Sequence, residues 1–288
     1  MAAFNTLVVM AKPPTKIEQL VEQLQELSKL VASEQPANIP PSRVKLVRQV
    51  ITDSYERLRH TAEKLDPIKH PGFIFDPTNP NVVGRIVGIT LIALPRKPLA
   101  QLERFYGSGV YALYYIGDFS LYADVSKREH PIYVGKADPV DPASKTVIQQ
   151  GDRLSNRLND HRRTVMKADS TLRLEDFEYR ALAVQTGWQN AAEEYLIHLF
   201  RPIWNNEVGI CYGFGKHGDA PETRANLRSP WDTLHPGRKW AHRDTKMKDA
   251  KPKEQIAREI REHFKKYPTL KSVDEILRKF LEEIRSVT

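Results

Sequence analysis

Cysteine is almost missing from this sequence: Cys211 is the sole thiol in 288 residues. One cysteine excludes an intramolecular disulfide and any multi-cysteine zinc site within a chain, so the fold calls for no oxidising compartment. Long apolar runs are missing too. None approaches the ~20 residues of a membrane span, and no membrane partner is expected. Met1 to Lys12 holds only the short apolar run Leu7 to Met10, without a charged start. That is too little for a secretory leader, and a cytoplasmic location is the expectation. There is no internal repeat. The apolar and charged fractions, 40% and 28%, are those of an ordinary globular chain. Acidic residues are the minority charge: 44 Lys and Arg face 36 Asp and Glu, for a formal net charge of +8 and a pI of about 9.4. This balance fits a polyanionic partner, because Lys and Arg displace counterions from phosphates. Many basic proteins bind no polyanion, so the chemistry has to come from particular residues.

Apolar positions recur at helical spacing over 16–33 (Ile17, Leu20, Val21, Leu24, Leu27, Leu30, Val31), and the Pro-rich stretch Pro36 to Pro41 ends that helix. A second helix is predicted over Ser42 to Leu65, with Val44, Val47, Val50, Ile51 and Leu58 on its apolar face. Prolines make 66–81 a loop. Val82 to Leu94 is apolar nearly all round, which fits a buried helix and a strand equally. The next stretch changes character. Gly109 to Tyr115, Pro131 to Gly135 and Phe177 to Val184 read as strands, while Gly151 to Lys167 and Asn190 to Arg201 read as helices, the latter stopped by Pro202. From Gly209 to His242 periodicity gives way to Gly, Pro, Trp, His and Arg, the composition of long ordered loops. After a charged linker, helices over roughly 254–265 and 272–286 close the chain. The implied division is a helical N-terminal extension (1–97), a compact core (98–208), a loop-rich segment (209–245) and C-terminal helices (246–288).

Two helices carry polar residues where apolar ones belong. On the first, Leu154, Leu158 and Val165 form the inward stripe, and Arg157 and His161 share it. Either alone is ordinary, a snorkelling arginine or a satisfied core histidine; the pair at i, i+4 points to function as readily. On the second, Glu193 shares the inward face with Leu196, Ile197 and Phe200. A buried carboxylate needs a cation, unless Asn190 is the N-cap and Glu193 completes a capping box. Glu194 is less inward and reads as a solvated neighbour. The strands add Tyr111 and Tyr133, whereas Tyr106, Tyr114, Tyr122 and Tyr179 read as packing.

Taken together, these residues resemble the GIY-YIG nucleases. Gly109-Val110-Tyr111 and Tyr133-Val134-Gly135 are similar to the two signature tripeptides. Arg157 and His161 match the R-x-x-x-H of the following helix, and Glu193 matches the metal-binding glutamate. Leu196, Ile197, Pro202 and Asn205 fall where the family pattern E-x-x-L-I-x4-P-x-x-N expects them. A literal Tyr115-Ile116-Gly117 is a decoy. It would lie on the same strand as Tyr111, about 13 Å away, with no room for a hairpin. The loop between the tripeptides is longer than usual, which resembles the GIY-YIG type II restriction endonucleases.

The resemblance implies an α+β fold: a small catalytic core of three mainly antiparallel strands flanked by helices, with helical N- and C-terminal extensions. It also implies phosphodiester hydrolysis of double-stranded DNA with Mg²⁺ (or Mn²⁺) held by Glu193, leaving 5′-phosphate and 3′-hydroxyl ends. Arg157 would contact the scissile phosphate. Tyr111 would take the proton of the attacking water, helped by His161, with Lys136 or the metal favouring phenolate. Tyr133 would orient water and phosphate, and Asn205 would brace the site. Lys216, His217, Arg224, Arg228, Arg238 and Arg243, interleaved with Trp231 and Trp240, are the candidates for reading DNA; a solvated basic tail is the alternative. Two active sites related by a two-fold axis would cut both strands of a palindrome, which implies a homodimer on DNA. A cognate methyltransferase is expected in the same restriction-modification system. A repair or homing nuclease of the same family is one alternative, but the C-terminal helices, with acids offsetting their bases, do not read as a separable DNA-binding domain. The other is a non-catalytic DNA-binding module, which need not retain every polar position.

Overall fold

A computed structural model of the chain describes residues 15–33, 40–65, 67–68, 74–215, 227–242 and 247–285. The chain divides into two compact units, Met1–Gly72 and Phe73–Thr288. In the first, α1 (Lys16–Ser33) and α2 (Pro41–Leu65) fall where the apolar spacing predicts them. Thr15 and Glu18 satisfy each other's backbone amides at the start of α1, at 3.3 and 2.6 Å. Leu20 and Leu27 on the stripe of α1, and Val44 and Leu58 on that of α2, are exposed.

The second unit opens with α3 (Pro80–Ala93), where periodicity allows helix or strand. Asn79 caps it by accepting from the Asn81 amide at 2.9 Å, and Pro80 begins it. Gly84 and Gly88, one turn apart, let α6 (Gln189–Phe200) approach so closely that a Cβ on Gly84 would lie 2.4 Å from the Ala191 carbonyl oxygen. This packing decides for a helix. It also places α3 in the second unit.

The sheet has the order β1-β4-β2-β3 and is antiparallel throughout: β1 (Lys97–Pro98), β2 (Gly109–Tyr115), β3 (Tyr133–Ala137) and β4 (Phe177–Ala183). Three of these strands are predicted from the sequence; β1 adds a two-residue edge against β4. β2 is central and buried along its whole length. Tyr111, Leu113 and Tyr115 join one core with α5 (Arg153–Lys167), which follows the single-turn α4 (Val147–Gln150). Val110, Ala112 and Tyr114 join the other core, with α3 and α6. Coverage on both faces explains why β2 reads as a continuous apolar run.

The segments without periodicity are packed as well. Tyr122, from the long loop between β2 and β3, is buried beside Trp204 and His235. Phe214 and Trp231, the latter in the short helix α7 (Pro230–Leu234), are fully buried in the same core. α8 (Lys253–Lys266) adds Ile256, Ile260 and Phe264 to it, and α9 (Val273–Arg285) sends Ile276 into the core around α3 and α6. Among the described residues no helix is long and apolar enough to cross a membrane.

Candidate active site

The β2–β3 register sets Tyr111 opposite Gly135 and Leu113 opposite Tyr133. The two phenols are therefore diagonal neighbours on one face, with ring centroids 6.2 Å apart. The glycines of the tripeptides make room. A Cβ on Gly135 would meet the Tyr111 hydroxyl at 2.4 Å, and one on Gly109 (φ +154°) would meet the Leu182 carbonyl at 2.2 Å. Tyr115 lies at the other end of β2, opposite Phe177, and its hydroxyl accepts the Phe119 amide at 2.8 Å. Tyr115, the first residue of the Tyr115-Ile116-Gly117 triplet, is thus core, at the far end of β2 from Tyr111.

α5 lays Arg157 and His161 over these phenols. His161 is fully buried, with Nε2 2.6 Å from the Tyr111 hydroxyl oxygen. Burial drives the Tyr111 hydroxyl well above its ordinary pKa, and the neighbouring Tyr133 adds to this; Arg157 pulls the other way. Tyr133 is likewise raised by burial and opposed by Arg157. Tyr111 stays protonated in this setting, so its O–H donates to His161 when the imidazole carries its own proton on Nδ1. Arg157 is half-buried between the phenols and the chain beyond Asn205, and its Nη2 donates to the Gly215 carbonyl at 2.7 Å.

Glu193 comes from α6, across the edge strand β3. The capping-box reading fails: the N-cap is Trp188, without a side-chain bond, and the Asn190 side chain accepts from the Lys136 ammonium. Burial pushes the Glu193 carboxyl up to about 7; the Lys136 ammonium and backbone amide oppose this, and Glu207 and Asp138 reinforce it. Glu194 is exposed. Lys136 itself needs correcting. Alternation along β3 puts it on the face opposite Tyr133, with its ammonium 3.3 Å from Asp138, so it supports Glu193 and not the Tyr111 phenol. Asn205 is buried and touches only backbone among its hydrogen-bond partners. Its Oδ1 accepts from the Val134 amide at 3.0 Å and its Nδ2 donates to the Val134 carbonyl at 2.8 Å. It braces β3.

A cleft of about 420 Å³ opens at this edge, lined by Tyr133, Lys136, Asp138, Arg153, Arg157 and Glu193. Among the described residues no three His, Cys, Asp or Glu side chains cluster as metal ligands. The cleft lining offers carboxylate oxygens and no His or Cys, a donor set that suits a hard divalent cation keeping most of its waters better than it suits zinc.

The proposed DNA-reading residues fare differently. Lys216, His217, Arg224 and Arg243 lie outside the described residues. Arg238 is corrected: at 4% exposure it donates to both oxygens of the fully buried Asp232, at 2.6 and 2.7 Å, and to the Gly213 carbonyl at 2.8 Å. Arg228 is turned to Asp249 (2.6 Å) and the Ala241 carbonyl (3.0 Å). Arg238 thus ties α7 to Gly213, and Arg228 ties the segment before α7 to Ala241 and Asp249. Trp231, fully buried, is likewise no DNA contact. What the sequence reading missed is Phe214 and Gly215. Phe214 stacks on His161 with ring centroids 4.6 Å apart and planes 14° from parallel. The run Gly213-Phe214-Gly215, an aromatic between two glycines, was the available signal.

Two phenols paired across adjacent antiparallel strands, with a carboxylate reaching their cleft from beyond the edge strand, define a GIY-YIG nuclease. The chain belongs to the Eco29kI GIY-YIG domain family, which matches residues 103–264 and so takes in the whole cleft. This is a family of restriction endonucleases, and its substrate is DNA. No curated protein gives a significant match.

Proposed function

We propose that the protein is a type II site-specific endonuclease of a restriction-modification system. It hydrolyses phosphodiesters of double-stranded DNA with Mg²⁺, for which Mn²⁺ substitutes, leaves 5′-phosphate and 3′-hydroxyl ends, and has a cognate methyltransferase. The observation that supports this most is the convergence of Tyr133, Arg157 and Glu193 on one cleft, with the Tyr111–His161 pair directly behind it.

A cation held by Glu193 would supply charge neutralisation at the phosphate and at the leaving 3′ oxygen. The remaining work belongs to the chain. Arg157 offers fixed donors to the scissile phosphate. Tyr133, at the mouth of the cleft, orients the attacking water. That water passes its proton to the Tyr111 oxygen as the Tyr111 proton moves to His161 Nε2. One proton thus reaches the imidazole and no free phenolate has to form against the upward shift of Tyr111. Two chains on DNA would then cut the two strands of a short palindrome.

The test is incubation with plasmid DNA and Mg²⁺. Discrete fragments support the proposal. Smears or cuts confined to junctions would favour a repair or homing nuclease, and DNA that is bound and left intact would indicate a binding module.

A further inference from the structure

His161 accepts a proton only if its ring plane points Nε2 at Tyr111. The Tyr111 contact holds the imidazole at Nε2, and packing on its faces helps to hold the ring plane. Phe214 supplies one such face. It covers one face of the imidazole at 4.6 Å, nearly parallel, while Tyr133 meets the ring on edge, 5.1 Å away and inclined by 63°. Phe214 is itself fixed, fully buried against Trp204 (4.5 Å) and Trp231 (5.4 Å). A flat, electron-rich face over an imidazole also attracts it more strongly once it is protonated. The contact thereby strengthens as the proton arrives.

Gly215 does the corresponding work for Arg157. Its carbonyl accepts from Nη2 at 2.7 Å, which aims the remaining guanidinium donors. Its missing side chain matters as much, because a Cβ there would lie 2.5 Å from the Tyr133 hydroxyl and 3.4 Å from Arg157 Nη2. The backbone of residue 215 is in an ordinary conformation, so the requirement is for space alone.

We propose that Phe214 and Gly215 are positioning residues of the cleavage reaction, Phe214 setting the imidazole plane of His161, and Gly215 leaving room for the Tyr133 hydroxyl while its carbonyl aims the guanidinium of Arg157. This rests on the roles given above to His161 and Arg157. The reaction centre therefore includes a tripeptide beyond Asn205.

The test is single-turnover cleavage, with DNA affinity measured alongside, on a plasmid the wild-type enzyme cuts. Phe214→Leu keeps apolar volume and loses the flat face. Its rate should fall about tenfold to a hundredfold at unchanged affinity, and Phe214→Tyr should restore most of it. In a His161→Ala background Phe214→Leu should add no further loss, because the two act as a unit. Gly215→Ala should slow cutting, and in a Tyr133→Phe background it should slow it no further. If Phe214→Leu fails to fold, the Gly215 pair of variants decides. Multiplicative losses in the double mutants, or wild-type rates for Phe214→Leu and Gly215→Ala, overturn the proposal while the mechanism stands. A wild-type rate for His161→Ala overturns the mechanism and the proposal with it.

Discussion

The Tyr111 hydroxyl rests against the backbone of Gly135, its partner across the β2–β3 ladder, so closely that a Cβ at 135 would come within 2.4 Å of it. Gly135→Ala should therefore move the phenol off His161. We expect the cleavage rate to fall by about two orders of magnitude, the scale for a displacement of about 1 Å at a reacting group. DNA binding should be retained. Single-turnover kinetics and a binding titration check both halves.

Glu193→Gln should abolish cutting and leave DNA binding intact, while Glu194→Gln, changed at an exposed position, should behave like wild type. The same change should stabilise the metal-free protein at pH 8. Burial raises the folded-state value from 4.5 to about 7, so the native state binds the proton more tightly than the unfolded one. As pH rises from 4.5 to about 7 the unfolded chain gives up this proton before the folded one does, so wild type loses stability that glutamine keeps, and the loss is complete above pH 7. In EDTA, wild type should melt below the variant at pH 8, and the gap should close progressively as pH falls from about 7 to about 4.5. A variant that melts lower at pH 8 and still cuts would mean that Glu193 is structural.

Tyr133→Phe should slow cleavage severely. Tyr115→Phe should leave it untouched and cost on the order of 1 kcal/mol of stability, because only its bond from the Phe119 amide is lost. Cleavage assays and urea titrations on the two variants separate these effects. Equal loss of activity in both would place the second tripeptide wrongly.

Much of this arrangement is legible in the sequence, and what is not has physical reasons. The Arg157–His161 spacing and the alternation around Tyr133 are local, so helix and strand geometry alone carry them to the right faces. The direction of Lys136 was equally local: it is three residues from Tyr133, and an odd separation on a strand means the opposite face. The α3 ambiguity was not local. It is settled by Gly84 meeting α6, a contact between segments about a hundred residues apart. The Arg238–Asp232 pair shows the converse. Amid Trp and Arg, an arginine reads as a nucleic-acid contact, and nothing in the sequence says that an acid six positions earlier is buried with it. Phe214 stacking on His161 is a third such case, joining the loop beyond Asn205 to α5.

Asn205→Asp should test the brace on β3. The amide both donates to and accepts from Val134; a carboxylate keeps the acceptor and sets an oxygen against the Val134 carbonyl. We expect a loss of roughly 1–3 kcal/mol in urea unfolding and slower cutting at unchanged DNA affinity.

Pairing on DNA can be read from mixtures. Wild-type chains combined with an excess of Glu193→Gln on a one-site plasmid should accumulate nicked circles as mixed pairs form. Linear product that is merely slowed in proportion to dilution would show that one chain cuts both strands.

The hydrogen bonds along the outer side of β3 bear on how two such chains can meet. The Ile132 carbonyl accepts from the Trp204 amide at 3.2 Å, and the Asn205 amide takes both polar groups of Val134. A side chain and a stretch of loop thus stand in for a neighbouring strand, and the opposite edge, β1, is only two residues long. Among the described residues neither edge offers a long row of open peptide groups, so the sheet is a poor template for edge-to-edge extension, the usual first step towards fibrillar association. Asn205 is one of the stoppers, so the side chain that braces β3 also closes part of its edge.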